Sequence, residues 1–296
     1  MKTIKIKCDE WRVTSGELIL RVRPAPSRHA SRVTPAAPKR SEGGRRVSAF
    51  TIVELLTVIA IIAILAAMLL PALSGAKIQA QKKQALLQMQ DIVTAIQNYD
   101  SAYSRMPVSS LAQNAASANG GSFTYGTNGV ANAKFNLLNP PAVTYNTNNS
   151  EVIAILMDIT NTTVTAVNAN HQKNPQQTVF LNAKMVSDPN LPGVGPDLVY
   201  RDPWKNPYII TIDVNDDNHC LDAFYQQKTV SQSPPASSST TGFNGLVNST
   251  DANGAGNNFA FHGNVMVWSA GPDGKADPAV SANTGVNNDN ILSWQN

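Results

Sequence analysis

The sequence predicts an α+β fold: one long N-terminal helix whose second half packs on a small antiparallel sheet, followed by a loop-rich C-terminal region. Three observations carry this. Phe50 to Leu70 is a 21-residue run in which only Thr51, Glu54 and Thr57 are polar. Beyond it, Ile78, Ala85, Leu86, Met89, Ile92, Val93, Ile96 and Tyr99 recur largely at helical spacings, with Lys77, Lys82, Lys83, Gln84, Gln88 and Asp91 between them, which gives one apolar face. Nearer the C-terminus, Ile209 to Asp213 and Asn264 to Ser269 read as strands bounded by turn residues.

In chain order, residues 1–49 carry twelve Lys and Arg against four Asp and Glu, a charge of +8, whereas the whole chain is only +3, so the remainder carries −5. Pro24, Pro26, Pro35 and Pro38 interrupt the one apolar patch, and this stretch reads as a basic leader. As a helix the 21 residues from Phe50 rise about 31 Å, enough to cross a bilayer core. A basic flank before such a segment stays cytoplasmic and sends the acidic bulk outward, which gives a single-pass inner-membrane precursor and implies no nucleic-acid partner. Glu54 costs roughly 3 kcal/mol at the bilayer centre and less near the interface, so it needs a partner or a head group. Of two cysteines, Cys8 lies in the leader, and removal of the leader leaves Cys220 alone with no internal disulfide to form.

Pro71 permits a kink or local melting, after which the helix resumes to about Ala102 and ends before Pro107. The expected organisation is a leader at 1–49, a helix at 50–102 (membrane part 50–70, amphipathic part 77–102) and an exported globular domain at 103–296. Residues 108–150 are rich in Asn, Ala, Ser, Thr and Gly and read as loops or short strands. Asn149 or Ser150 is placed to cap a short helix over Glu151 to Met157, and residues 179–186 read as a short ordered segment.

The string Ala49-Phe50-Thr51-Ile52-Val53-Glu54, followed by the apolar run, resembles the processing site of type IV pilins and type II secretion pseudopilins. The resemblance implies a pilin-like fold and cleavage between Ala49 and Phe50 by a prepilin peptidase. It further implies N-methylation of Phe50 and a role for Glu54 in assembly, where a neighbouring subunit's amino terminus compensates the acid. Ala49 stands where that family usually has Gly, and the leader is longer than the family's. Asp202-Pro203-Trp204-Lys205-Asn206-Pro207-Tyr208 resembles a stretch of the major pseudopilins that carries Gly at the Lys205 position, a substitution that argues against a positive-φ turn there. Ser269-Ala270-Gly271-Pro272-Asp273-Gly274 and Asn288 to Trp294 resemble the same family's calcium loop. The implied Ca²⁺ ligands are Asp273 and Asp289, with Ser269, Asp277 and Asn290 as contributors, and Asp289 or Asn290 closing the site. A solvated polar turn at Asp273-Gly274 is the competing reading.

Asp213 to Asn218 begins like an EF-hand loop but has Asn218 at position six and Phe224 at position twelve, which leaves a loop after a strand. His29, His171, His219 and His262 show no metal spacing, His219-Cys220 is adjacency in sequence only, and neither a nucleophile elbow nor a phosphate-binding Gly loop is present. No enzymatic chemistry is indicated. The resemblance therefore implies a structural subunit of a type II secretion pseudopilus, a homopolymer built with minor pseudopilins on an inner-membrane assembly platform. The alternatives are a type IV pilus subunit for adhesion or motility, a membrane-anchored envelope binding module, and a secreted domain cut after Ser74-Gly75-Ala76.

Overall fold

A computed structural model of the chain describes residues 50–118, 120–130, 133–135, 147–160, 163–234, 239–248 and 256–295. The expected leader 1–49, Ala49 included, and the Pro140-Pro141 pair lie outside the described residues.

Helix α1, Ile52–Tyr103, is within two residues of the expected span and is helical without interruption through Pro71. No local melting occurs there, and the Ser74 hydroxyl donates to the Pro71 carbonyl at 2.8 Å. Phe50 to Leu70 is exposed at every residue. From Ala85 the helix changes character, because Ala85, Met89, Ile92, Ile96 and Tyr99, spaced four and three apart, are fully buried in one seam. Ile78, expected in that seam, is 41% exposed, so packing starts at Ala85.

The remaining elements, in chain order, are α2 (Ser110–Ser117), β1 (Ser122–Tyr125), α3 (Ser150–Leu156), β2 (Gly193–Val194), β3 (Tyr200–Arg201), β4 (Ile209–Asp213), β5 (His219–Cys220), α4 (Lys228–Ser231), β6 (Phe261–His262), β7 (Val265–Ser269) and β8 (Ile291–Leu292). The main sheet has the order β1-β4-β7-β8, antiparallel throughout, and two-stranded ribbons pair β2 with β3 and β5 with β6. The observed fold is thus α+β, with a small antiparallel sheet after a long helix.

Strand alternation sends the two faces of the sheet into different cores. Phe123 and Tyr125 of β1, Ile210 and Ile212 of β4, and Val265 and Val267 of β7 pack with the α1 seam, α2 and α3. Ile209, Met266, Trp268 and Leu292 point the other way, into a layer built by Phe224, Tyr225, Leu246 and Phe259 from irregular segments. Both β4 and β7 are therefore buried at every position, which is why they read as continuous apolar runs. Burying each large apolar side chain contributes about 2 kcal/mol, so the irregular C-terminal layer stabilises the sheet as the helix does.

One local expectation changes and two gain detail. β1 lies inside the stretch expected to be loops or short strands and is a sheet strand in register with β4, Phe123 opposite Ile212. Asn149 precedes α3 as expected, but its side chain does not cap the helix. It is fully buried, donates to the Tyr200 and Tyr208 carbonyls at 3.0 and 2.8 Å and accepts from the Tyr200 N–H, tying the start of α3 to β3 and to the residue before β4. Residues 179–186 are irregular, bridged to Val194 through Met185 and buried in the core at Leu181 and Ala183.

Candidate functional site

Phe50 is 73% exposed at the start of the described chain. Four residues on, the Glu54 carboxylate accepts the Thr51 N–H and the Thr51 hydroxyl, both at 2.9 Å, while the Glu54 N–H donates to the Thr51 hydroxyl oxygen at 3.2 Å. This is a reciprocal capping box, Thr-x-x-Glu, satisfying N–H groups that a helix start leaves open. The signal is present in the sequence as Thr51-Ile52-Val53-Glu54, although the expected partner of the carboxylate is a head group or a neighbouring subunit.

A second cluster joins three distant segments. After β3 the chain turns through Asp202 to Tyr208, and the fully buried Asp202 carboxylate accepts the Trp204 and Asn206 N–H groups at 2.8 Å each. Its other oxygen takes the Ser269 hydroxyl at 2.5 Å and the Asn206 amide at 3.4 Å. Burial pushes the Asp202 carboxyl up to about 6, against these donors. Lys205 adopts φ 77°, so the positive-φ turn is kept despite the Lys, and the expectation of a different turn is corrected. An exposed Lys reaches this conformation because the Asp202 acceptors and the Lys205 N–H to Asp202 carbonyl bond of 3.0 Å fix the backbone around it.

The loop after β7 packs on that turn. The Asn206 amide donates to the Gly271 carbonyl at 2.9 Å. Gly271, at φ 64°, lies where an added Cβ would come within 2.2 Å of the Asp289 carbonyl oxygen, so only Gly allows the two segments to meet. The Asp273 N–H donates to one Asp289 oxygen at 3.3 Å, while the other Asp289 oxygen and the Asn290 side-chain oxygen are buried without a hydrogen-bond partner. Burial raises the Asp289 pKa, and the nearby Asp273 charge adds to it.

Of the expected metal ligands, the structure brings Asp273 and Asp289 together. Ser269 is buried and its hydroxyl is used by Asp202 and the Gly271 N–H, and the Asp277 carboxylate accepts the Ala279 N–H at 2.9 Å. Among the described residues no three His, Cys, Asp or Glu side chains converge as a metal cluster. A donor set here would draw on the two carboxylates and on the buried side-chain oxygen of Asn290.

Asp222 went unnoticed in the sequence, being a lone acid in an irregular stretch. It is fully buried and accepts from the Thr211 hydroxyl at 2.6 Å, the Trp268 indole at 3.1 Å and the Phe224 and Tyr225 N–H groups at 2.9 and 2.8 Å. With all these donors it is a tie between the sheet and the C-terminal layer. Cys220 is fully buried beside it and its thiol is pushed well above the ordinary range by burial, with the Asp222 charge adding, so it stays protonated and forms no nucleophilic dyad with the exposed His219.

Residues 44–70 match the family described as the prokaryotic N-terminal methylation motif, the prepilin-type signature of pilins and pseudopilins. No curated protein and no solved structure matches the chain. The motif supports a type IV pilin-like or pseudopilin subunit, structural in kind, anchored in the inner membrane as a precursor.

Proposed function

We propose that the chain is a structural subunit of a type II secretion pseudopilus. Its precursor sits in the inner membrane with residues 1–49 in the cytoplasm, is cut between Ala49 and Phe50 by a prepilin peptidase, and is N-methylated at Phe50. It then polymerises through α1, with further copies and minor pseudopilins as neighbours on an inner-membrane assembly platform, to help export proteins. The observation that carries this reading is the methylation motif at 44–70 opening a 52-residue helix. Its apolar start is wholly exposed, and a surface of Ile, Leu and Val at this length calls for a bilayer or for copies of itself. The Asp202–Tyr208 turn and the Ser269–Gly274 loop, locked to each other, favour the secretion pseudopilus over a surface pilus on sequence resemblance.

The Asp273 and Asp289 carboxylates fit a hard divalent cation, because they repel each other and one Asp289 oxygen is buried without a hydrogen-bond partner, as is the side-chain oxygen of the adjacent Asn290. Ca²⁺ bound there would neutralise the pair and tie the loop after β7 to the segment entering β8.

The test is the N-terminal sequence and intact mass of the membrane-extracted mature protein, followed by localisation of its filaments. N-methyl-Phe50 with periplasmic filaments supports the proposal; the same terminus with surface filaments at normal expression makes it a type IV pilus subunit. An intact leader, or a terminus near Lys77, removes the assembly reading in favour of an anchored or secreted domain.

A further inference from the structure

On the β5–β6 ribbon His219 and His262 are register partners, directly opposite each other across the antiparallel pair. Their rings are 6.0 Å apart between centroids at an interplanar angle of 69°, and both residues are exposed. His219 Nδ1 lies 2.9 Å from the Asp217 carbonyl oxygen. A carbonyl only accepts, so Nδ1 carries the proton in this bond and the lone pair sits on Nε2. The same bond orients the ring, as the outer hydrogen bond of a metal-bound imidazole does. The Asp217 carboxylate, 3.7 Å from Nδ1, adds negative potential.

The backbone beneath is fixed. The Ser122 hydroxyl of β1 donates to the His219 carbonyl at 3.2 Å, the His219 N–H donates to the Asp217 carboxylate at 2.9 Å, and the Gly263 N–H donates to the Asn218 carbonyl at 3.2 Å.

We propose that His219 and His262 form a two-imidazole site for a borderline divalent transition-metal ion such as Zn²⁺ or Ni²⁺. With Zn–N bonds of about 2.1 Å the ion stands ~3.2 Å from each ring centre, so one ion reaches both rings at centroid separations of about 5 to 6 Å. The observed 6.0 Å is at the upper end of that window. Imidazole nitrogen selects such ions over Ca²⁺, which takes oxygen, so this site is chemically distinct from the Asp273–Asp289 pair. Water completes the coordination, as expected of an open surface site.

The test is calorimetric titration of the untagged full-length chain, solubilised in detergent, with ZnCl₂, in the presence and absence of excess Ca²⁺. One saturable equivalent is expected, undisturbed by Ca²⁺. His219→Ala and His262→Gln each weaken it by about 10-fold or more, the double variant falls little further, and His171→Ala leaves it unchanged. Near-UV circular dichroism reports that the variants are folded. Absence of saturable Zn²⁺ binding, binding that survives both substitutions, or displacement by Ca²⁺ overturns the proposal.

Discussion

The Ser269 hydroxyl donates to the Asp202 carboxylate at 2.5 Å, joining positions 67 residues apart. Asp202 opens the turn between β3 and β4 and Ser269 ends β7, so one buried acid holds both ends of the candidate site together. Replacing Asp202 with Ala leaves the Trp204 and Asn206 N–H groups and the Ser269 hydroxyl without their acceptor. The expected loss is about 3 kcal/mol, read as a lowered thermal midpoint of the detergent-solubilised protein. A midpoint within a degree of the wild type would show that the acid does not organise the site.

The same residue sets a pH dependence. Burial holds the Asp202 carboxyl at about 6, above its ordinary 3.8, so between those values the folded chain binds the proton more tightly than the unfolded chain. Its stabilising contribution is complete below about 4 and is lost as pH rises through about 6. Asp222, also raised by burial, acts in the same direction. Compared with Asp202→Asn, the wild type should gain thermal stability on going from pH 7 to pH 5. Parallel melting profiles of the two proteins over that range would refute this.

Lys205 holds φ 77° with an exposed side chain, so its conformation costs energy that the side chain does not repay. Left-handed backbone costs a non-Gly residue roughly 1–2 kcal/mol, partly offset in Lys205→Gly by the greater freedom of Gly in the unfolded chain. The substitution should stabilise by up to about 1 kcal/mol, seen as a higher melting midpoint. Destabilisation would mean that the Lys side chain contributes more than its exposure implies.

Legibility of the chain follows from how much each signal depends on distant residues. The Ala85–Tyr99 seam and the β4 and β7 runs were readable because periodicity and apolar runs are local properties. β1 was legible only as part of a stretch of loops or short strands, since its four residues mix Ser122 and Thr124 with Phe123 and Tyr125 in a Gly- and Asn-rich stretch. Its strand character comes from pairing with β4, ninety residues on. Asn149 and Asp222 were missed or misread for the same reason, because the Tyr200 and Tyr208 carbonyls that Asn149 serves, and the Thr211 hydroxyl and Trp268 indole that bond Asp222, are brought near only by the fold. The Lys205 turn failed differently: propensity argued against positive φ, and the hydrogen bonds that the buried Asp202 accepts within the turn overrode it.

The acid pair in the loop after β7 gives a metal-dependent prediction. If Ca²⁺ relieves the repulsion between Asp273 and Asp289, it raises the melting midpoint by an amount that grows with its concentration. Asp273→Ala or Asp289→Asn should abolish that rise, and acidification should weaken it because burial already favours the protonated Asp289. A melting midpoint indifferent to Ca²⁺ and to EGTA would remove the metal from this loop.

Glu54 closes a capping box with Thr51 in its own chain, so its loss has two separable consequences. Thr51→Ala removes the hydroxyl that bonds both the carboxylate and the Glu54 N–H but leaves the charge, and costs the start of α1 about 1 kcal/mol. Glu54→Gln keeps a side chain able to accept from Thr51 but removes the charge. If the carboxylate serves assembly by compensating a neighbour's amino terminus, Glu54→Gln should reduce filaments by an order of magnitude or more while Thr51→Ala retains most of them. Filament yield by sedimentation and intersubunit cross-linking makes the comparison. Equal losses in the two variants would assign Glu54 to helix capping, and retention in both would remove it from assembly.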